Sequence, residues 1–160
     1  GVELPAERFV VLHPFSRGEG KSLSAGQVEL LCAALAPHPV VIVGRADLDL
    51  PPMREGVLDL LNRTSLSELV AVTRRAGFVI SVDSGPMHIA AALGDRLVSI
   101  HTWSDPRKVG PYAPGAWVWK AGRLQRMGDY NTSPRGGRDR DEELDAASLE
   151  VIAARAKAEL

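Results

Sequence analysis

Four short runs in this chain are apolar at almost every consecutive position: Arg8–His13 (RFVVLH), Val40–Val43, Phe78–Val82 and Leu97–Ile100. A strand with one wet face alternates apolar and polar residues. A strand that is apolar throughout is buried on both faces, and that happens in parallel sheets covered by helices on both sides. This constrains the fold more than any other feature of the sequence.

The segments between these runs carry helix signals. Ser24 and Gln27 have capping-box spacing, with Leu23 and Val28 at the hydrophobic-staple positions. Val28, Leu31, Cys32 and Leu35 then share one helical face, which makes Cys32 a small buried apolar residue. Ser65 and Glu68 repeat the capping box ahead of Leu66, Leu69 and Val70. Pro86 suits the first position of a helix that runs to Leu93, with Gly94 as its C-cap. Pro39 and Gly44 bracket the second run, Arg45–Gly56 reads as loop, and Val57–Leu61 reads as a short strand. Trp117–Trp119 is expected to be the last, edge strand. Strands and helices thus alternate through residue 101, and the expected fold is α/β, a Rossmann-like doubly wound parallel sheet.

Length and composition agree. A chain of 160 residues, 45% hydrophobic and 24% charged, is long enough for one domain with its own core. The single cysteine can form no internal disulfide and no zinc site by itself. A net charge of −1 gives no global electrostatic case for nucleic acid, so no nucleic-acid partner is expected. No apolar run reaches the roughly 20 residues of a membrane span, and the N-terminus lacks the form of a signal peptide, so the expected location is cytoplasmic.

Gly122–Arg140 breaks the pattern, with five arginines against two aspartates, a net of +3. It reads as a mobile polar loop or solvated linker, although its RGGR stretch and Tyr130 have the composition of a nucleic-acid contact. Asn131-Thr132-Ser133 matches a glycosylation sequon that carries no meaning without a secretory signal. A final helix is expected with Asp145 as N-cap and Leu144 and Leu149 as staple. Its stripe is thin and Ala-rich, so it needs a neighbour to dock on. The expected organisation is a nucleotide-binding unit over residues 1–120, the loop over 121–143 and the helix over 144–160.

In an open α/β sheet, ligands bind outside the carboxyl ends of the strands. Two strand-to-helix segments there carry phosphate chemistry: Ser16-Arg17-Gly18-Glu19-Gly20-Lys21, and Asp83-Ser84-Gly85-Pro86-Met87-His88. Glycines admit a ligand to the backbone, helix N-termini favour anions, and Arg17, Lys21 and His88 add positive charge. As a structural element alone, Asp83–Pro86 is a turn with a cap. Gly20-Lys21-Ser22 resembles the end of a P-loop, but Phe15 stands where the first glycine belongs and the capping box starts the helix at Ser24. Asp47-Leu48-Asp49 has the spacing of a metal-holding pair, or of two solvated carboxylates. His13 and His101 end strands, where each is either a buried, hydrogen-bonded group or a crevice residue. Trp103 is either a packing residue or a stacking platform.

Taken in order, these pieces resemble the C-terminal domain of glycosyltransferase family 9, the ADP-heptose:lipopolysaccharide heptosyltransferases. The similar stretches are Val11–Lys21, Leu61–Ser65, Val82–Gly94, Ser104-Asp105-Pro106 and Gly110-Pro111-Tyr112, within residues 8–120. The D-[ST]-G-x-x-H block at Asp83–His88 is the most specific. The resemblance implies the C-terminal half of a two-domain GT-B enzyme that is inverting and metal-independent, uses no cofactor, and acts in lipopolysaccharide core synthesis. Its substrate would be a nucleotide sugar, ADP-linked, and its acceptor a lipid-linked saccharide. Its partner would be an N-terminal acceptor-binding domain that holds the catalytic base, so no catalytic residue is expected in this chain. The full enzyme could sit at the inner membrane. The nucleotide-sugar-binding residues it implies are Ser16, Arg17, Lys21, Thr64, Asp83, Ser84, Gly85, Pro86 and His88. It also implies a last helix that crosses back to the N-terminal domain. The chain departs from the family pattern at Phe15, at Leu23-Ser24 and at Thr102-Trp103. Asp47 is the nearest match for the acidic residue that holds the ribose. The alternatives are a non-catalytic α/β binding or regulatory module and, behind it, a P-loop-type NTPase.

Overall fold

The structure is a computed structural model that describes residues 3–17, 20–130 and 144–160. Seven strands form one sheet: β1 (Val10–His13), β2 (Val40–Ile42), β3 (Val57–Asp59), β4 (Phe78–Val82), β5 (Leu97–Ile100), β6 (Trp117–Lys120) and β7 (Arg123–Arg126). Their order is β3-β2-β1-β4-β5-β6-β7. The first six are parallel, in the doubly wound 3-2-1-4-5-6 arrangement, and β7 pairs antiparallel with β6.

The apolar runs fill two cores because neighbouring residues point to opposite faces. Val10, Leu12, Ile80 and Ile100 pack on one side with Val28, Leu31, Cys32 and Leu35 of α1 (Ala25–Leu35). Phe9, Val11, Val79 and Leu97 pack on the other with Leu69 and Val72 of α2 (Leu66–Arg75) and Met87 and Ala90 of α3 (Gly85–Leu93). Both capping boxes form as the sequence indicates, Ser24 with Gln27 and Ser65 with Glu68. Gly94 closes α3, and Pro86 stands second in it rather than first. A short helix, α4 (Pro106–Val109), is capped by Asp105.

Two expectations are corrected. β6 is not the edge strand. The chain turns at Ala121 and Gly122, both at positive φ (56° and 74°), and returns as β7 followed by a 3₁₀ turn at Met127–Asp129. Positive φ at both central residues gives the two-residue turn that suits a hairpin's twist. The start of the segment read as loop is therefore strand; its RGGR stretch and sequon lie outside the described residues. The second correction concerns α5 (Ala146–Glu159). Its stripe of Leu149, Ile152, Ala153 and Ala156 is buried in the same core as α1, and Lys157 Nζ donates to the carbonyls of Ala34 and Ala36. The neighbour this helix needed is this domain itself. Burying Leu149 and Ile152 contributes about 1.5–3 kcal/mol each.

Candidate functional site

β1 and β4 are adjacent, yet β1 leads to α1 on one face and β4 to α3 on the other. The two loops diverge at this switch point and leave a crevice at the carboxyl ends of the strands. A cavity of about 420 Å³ opens there, lined by His13 at the end of β1 and Phe15, Ser16 and Arg17 after it, Gly44 and Arg45 after β2, Thr64–Leu66 at the start of α2, and Ser84–Pro86 at the start of α3. A second, of about 630 Å³, shares Phe15, Ser16, Arg17 and Arg45 with the first and extends to Asp47, Leu48 and Asn62.

The start of α3 is unlike that of the other long helices. Ser24, Ser65 and Asp145 cap α1, α2 and α5 with their side chains. Ser84 stands at the N-cap of α3 but makes no such bond. Its hydroxyl donates instead to the Val82 carbonyl (3.1 Å) and lies 3.0 Å from His13 Nδ1. Ser81 Oγ also donates to Val82 O (2.7 Å) and lies 3.2 Å from the same Nδ1. Both hydroxyls thus meet the Val82 carbonyl and the same ring nitrogen. Burial lowers the His13 pKa to about 4, so the ring is neutral near pH 7. Gly44, at φ 119°, lets the ring lie where it does: a Cβ there would sit 2.6 Å from His13 Cδ2. The α3 N-terminus thus faces the crevice with no side chain of its own on its first-turn N–H groups.

The residues expected from sequence fall into two groups. Ser16, Arg17, Thr64, Ser84, Gly85 and Pro86 line the smaller cavity together. Lys21, Asp83 and His88 do not line it. Lys21 Nζ lies 3.1 Å from Asp83 Oδ2, an ion pair whose carboxylate is 6% exposed. His88, in the first turn of α3, has its ring 6.4 Å from that of Tyr112. Asp47 lines the larger cavity only. Among the described residues no group of three His, Cys, Asp or Glu could hold a metal ion, and Asp47 and Asp49 are both exposed. The P-loop geometry is absent, because α1 begins at Ala25, four residues beyond Lys21.

The loop after β1 is closed at its neck by Ser22, whose Oγ bonds both the N–H and the carbonyl of Ser16. Thr102 Oγ1 donates to Gly20 O (2.6 Å), and Trp103 packs against Gly20. His101, wholly buried, lies between Ser99 Oγ (2.6 Å) and Ser104 Oγ (2.8 Å), and burial lowers its pKa to about 4. It fixes the Ser104-Asp105 segment and lies outside both cavities. Sequence reasoning missed Arg45, whose Nη2 donates to Thr64 O (3.0 Å). An exposed loop arginine carries no periodic signal.

The comparisons with known proteins agree with the fold. A stretch of 54 residues, 34% of the chain, is 32% identical to the lipopolysaccharide core heptosyltransferase OpsX of Haemophilus influenzae and covers 16% of that protein. The glycosyltransferase family 9 structure from Veillonella parvula superposes with a TM-score of 0.70 at 20% identity, over 98% of this chain and 47% of that one. The E. coli heptosyltransferase WaaC with ADP superposes with a TM-score of 0.68 at 20% identity, over 98% of this chain and 46% of that one. The chain spans just under half the length of these solved relatives. The family described as glycosyltransferase family 9 (heptosyltransferase) matches residues 22–133, most of the α/β domain and its hairpin, and the chain belongs to that family.

Proposed function

We propose that this chain is the donor-binding domain of an inverting, metal-independent glycosyltransferase of lipopolysaccharide core synthesis. Its ligand would be a nucleoside diphosphate sugar, ADP-linked and heptose-like. The observation that carries this reading is the uncapped N-terminus of α3 at the switch-point crevice. Such a terminus attracts a diphosphate through its N–H groups and its dipole. The ADP bound to the distant relative WaaC supports the choice of base.

In the reaction, an acceptor hydroxyl attacks the anomeric carbon from the side opposite the diphosphate. The bond from that carbon to the diphosphate oxygen breaks, and the configuration inverts. Negative charge gathers on the leaving oxygens, where the α3 N-terminus stabilises it best. Ser16 and Arg17 face the diphosphate from the other side of the crevice, and Thr64 lies toward the base. The Lys21–Asp83 pair joins the two ligand loops; Lys21 would meet the diphosphate, and His88 would lie toward the donor sugar. The carboxylate that accepts the hydroxyl proton belongs to a separate N-terminal domain, which also binds the lipid-linked acceptor. The whole enzyme would work in the cytoplasm, peripherally at the inner membrane.

Titration calorimetry with ADP, UDP and GDP, with and without magnesium, tests this. Saturable binding of ADP in preference to the others, indifferent to magnesium, is the expected result. No binding of any of the three would return the chain to a non-catalytic α/β module.

A further inference from the structure

The cations of the crevice are not equivalent. Lys21 is compensated by Asp83 at 3.1 Å. Arg17 and Arg45 have no carboxylate partner among the described residues, and both line both cavities. Among the described residues, the lining of the smaller cavity, which also holds the start of α3, includes no acidic side chain. The larger has Asp47. Two arginines and a helix N-terminus thus share the lining of the smaller cavity, a combination that favours an anion.

Arg45 is also held in place before any ligand arrives. Its Nη2 donates to Thr64 O (3.0 Å), which leaves its other N–H donors free for a ligand. The backbone on both sides is pinned by Asn62. The Asn62 N–H donates to Gly44 O (2.7 Å), and its side-chain amide bonds both the N–H and the carbonyl of Ala46 at 2.8 Å. Asn62 takes a positive φ of 62° to do so, which asparagine tolerates.

We infer that Arg45 is a diphosphate-binding residue, which clamps the donor's phosphates against the α3 N-terminus together with Arg17. The inference rests on the donor-binding reading and adds a contact that the loop motifs do not supply. Arg45 Nη2 stays on Thr64 O, while the remaining fork of donors meets phosphate oxygens.

The test compares the intact chain with Arg45→Gln and Arg45→Lys, using inorganic pyrophosphate, ADP and adenosine as probes, after circular dichroism has shown that the variants are folded. Arg45→Gln should weaken pyrophosphate and ADP by about tenfold or more, the scale of a lost charge-assisted hydrogen bond. It should leave adenosine unchanged and flatten the salt dependence of ADP binding. Arg45→Lys should recover part of the loss. Equal loss for ADP and adenosine, with pyrophosphate unchanged, would make Arg45 a nucleoside contact and overturn the inference. Unchanged ADP binding in Arg45→Gln would overturn it too, with the donor-binding reading intact. Failure of the unsubstituted chain to bind either ADP or pyrophosphate would remove both.

Discussion

Ser84 Oγ lies 3.0 Å from His13 Nδ1, a contact between residues 71 positions apart that joins the ends of the two strands at the switch point. The hydroxyl that would ordinarily cap α3 is engaged there and on Val82 O, so the helix presents its N-terminal N–H groups to the crevice. One side chain thus sets both the position of the imidazole and the electrostatics of the site.

Ser84→Asp should reverse that arrangement. A carboxylate at the N-cap accepts from the first-turn N–H groups and complements the helix dipole, worth about 0.5–2 kcal/mol to a helix. It also occupies the place of the anion. The variant should stay folded and lose at least tenfold in ADP affinity. Calorimetry beside a thermal melt checks both, and full-strength ADP binding in a folded Ser84→Asp would show that the diphosphate does not sit at this helix.

Gly44→Ala should destabilise the domain. The new Cβ would lie 2.6 Å from His13 Cδ2 and 2.8 Å from Nε2, at a φ of 119° that L-residues rarely adopt. Strain of this kind costs about 1–3 kcal/mol. Urea denaturation should show a lowered midpoint with little change in slope. A shift of under about 0.5 kcal/mol would mean the imidazole moves aside freely.

What the sequence made legible was local. Ser24 with Gln27 and Ser65 with Glu68 are pairs three residues apart, and the caps form as read. The runs at β1, β2, β4 and β5 are apolar on both faces, and a covered parallel sheet follows from that. Elements set by unusual backbone or by distant partners were not legible. The β6–β7 turn places Ala121 at φ 56°, where Asn, Asp or Gly is the usual signal, so the hairpin passed for loop. The stripe on α5 was visible, but its docking on α1 joins segments more than a hundred positions apart. In the site, the glycine-bearing loops declared themselves by composition. Arg45 did not, because its position depends on the Thr64 carbonyl and the Asn62 amide.

Stability should fall as the solution is acidified from pH 6.5 toward pH 4. Burial lowers the pKa of both His13 and His101 from 6.5 to about 4. Through that window the unfolded chain binds a proton at each ring and the folded chain does not, so acidification favours unfolding. Well above pH 6.5 neither state is protonated at these rings and their contribution is constant. Each shift corresponds to about 3 kcal/mol lost by pH 4. Urea melts across this range should show the decline, and His13→Gln should reduce its slope by about one proton, or about 1.4 kcal/mol per pH unit. An unchanged slope in that variant would mean His13 titrates alike in the two states.

Lys21→Met should act on stability as well as on binding, because Lys21 is the counter-ion of a buried carboxylate. Asp83 is 6% exposed on its side chain and Lys21 27%, so water screens the pair only from the lysine side. Removing the lysine strands the carboxylate, which costs about 1–3 kcal/mol. Removing both charges in Lys21→Met/Asp83→Asn should restore much of that loss, since no uncompensated ion remains. The pair joins the loop after β1 to the loop after β4, and both loops face the ligand. ADP affinity should therefore fall in the single variant and stay low in the double, although the double regains stability. Denaturation and calorimetry on the three variants separate the two effects. If the double variant recovered ADP affinity along with stability, Lys21 would be a structural counter-ion only, and the diphosphate would be left to the α3 N-terminus and the two arginines.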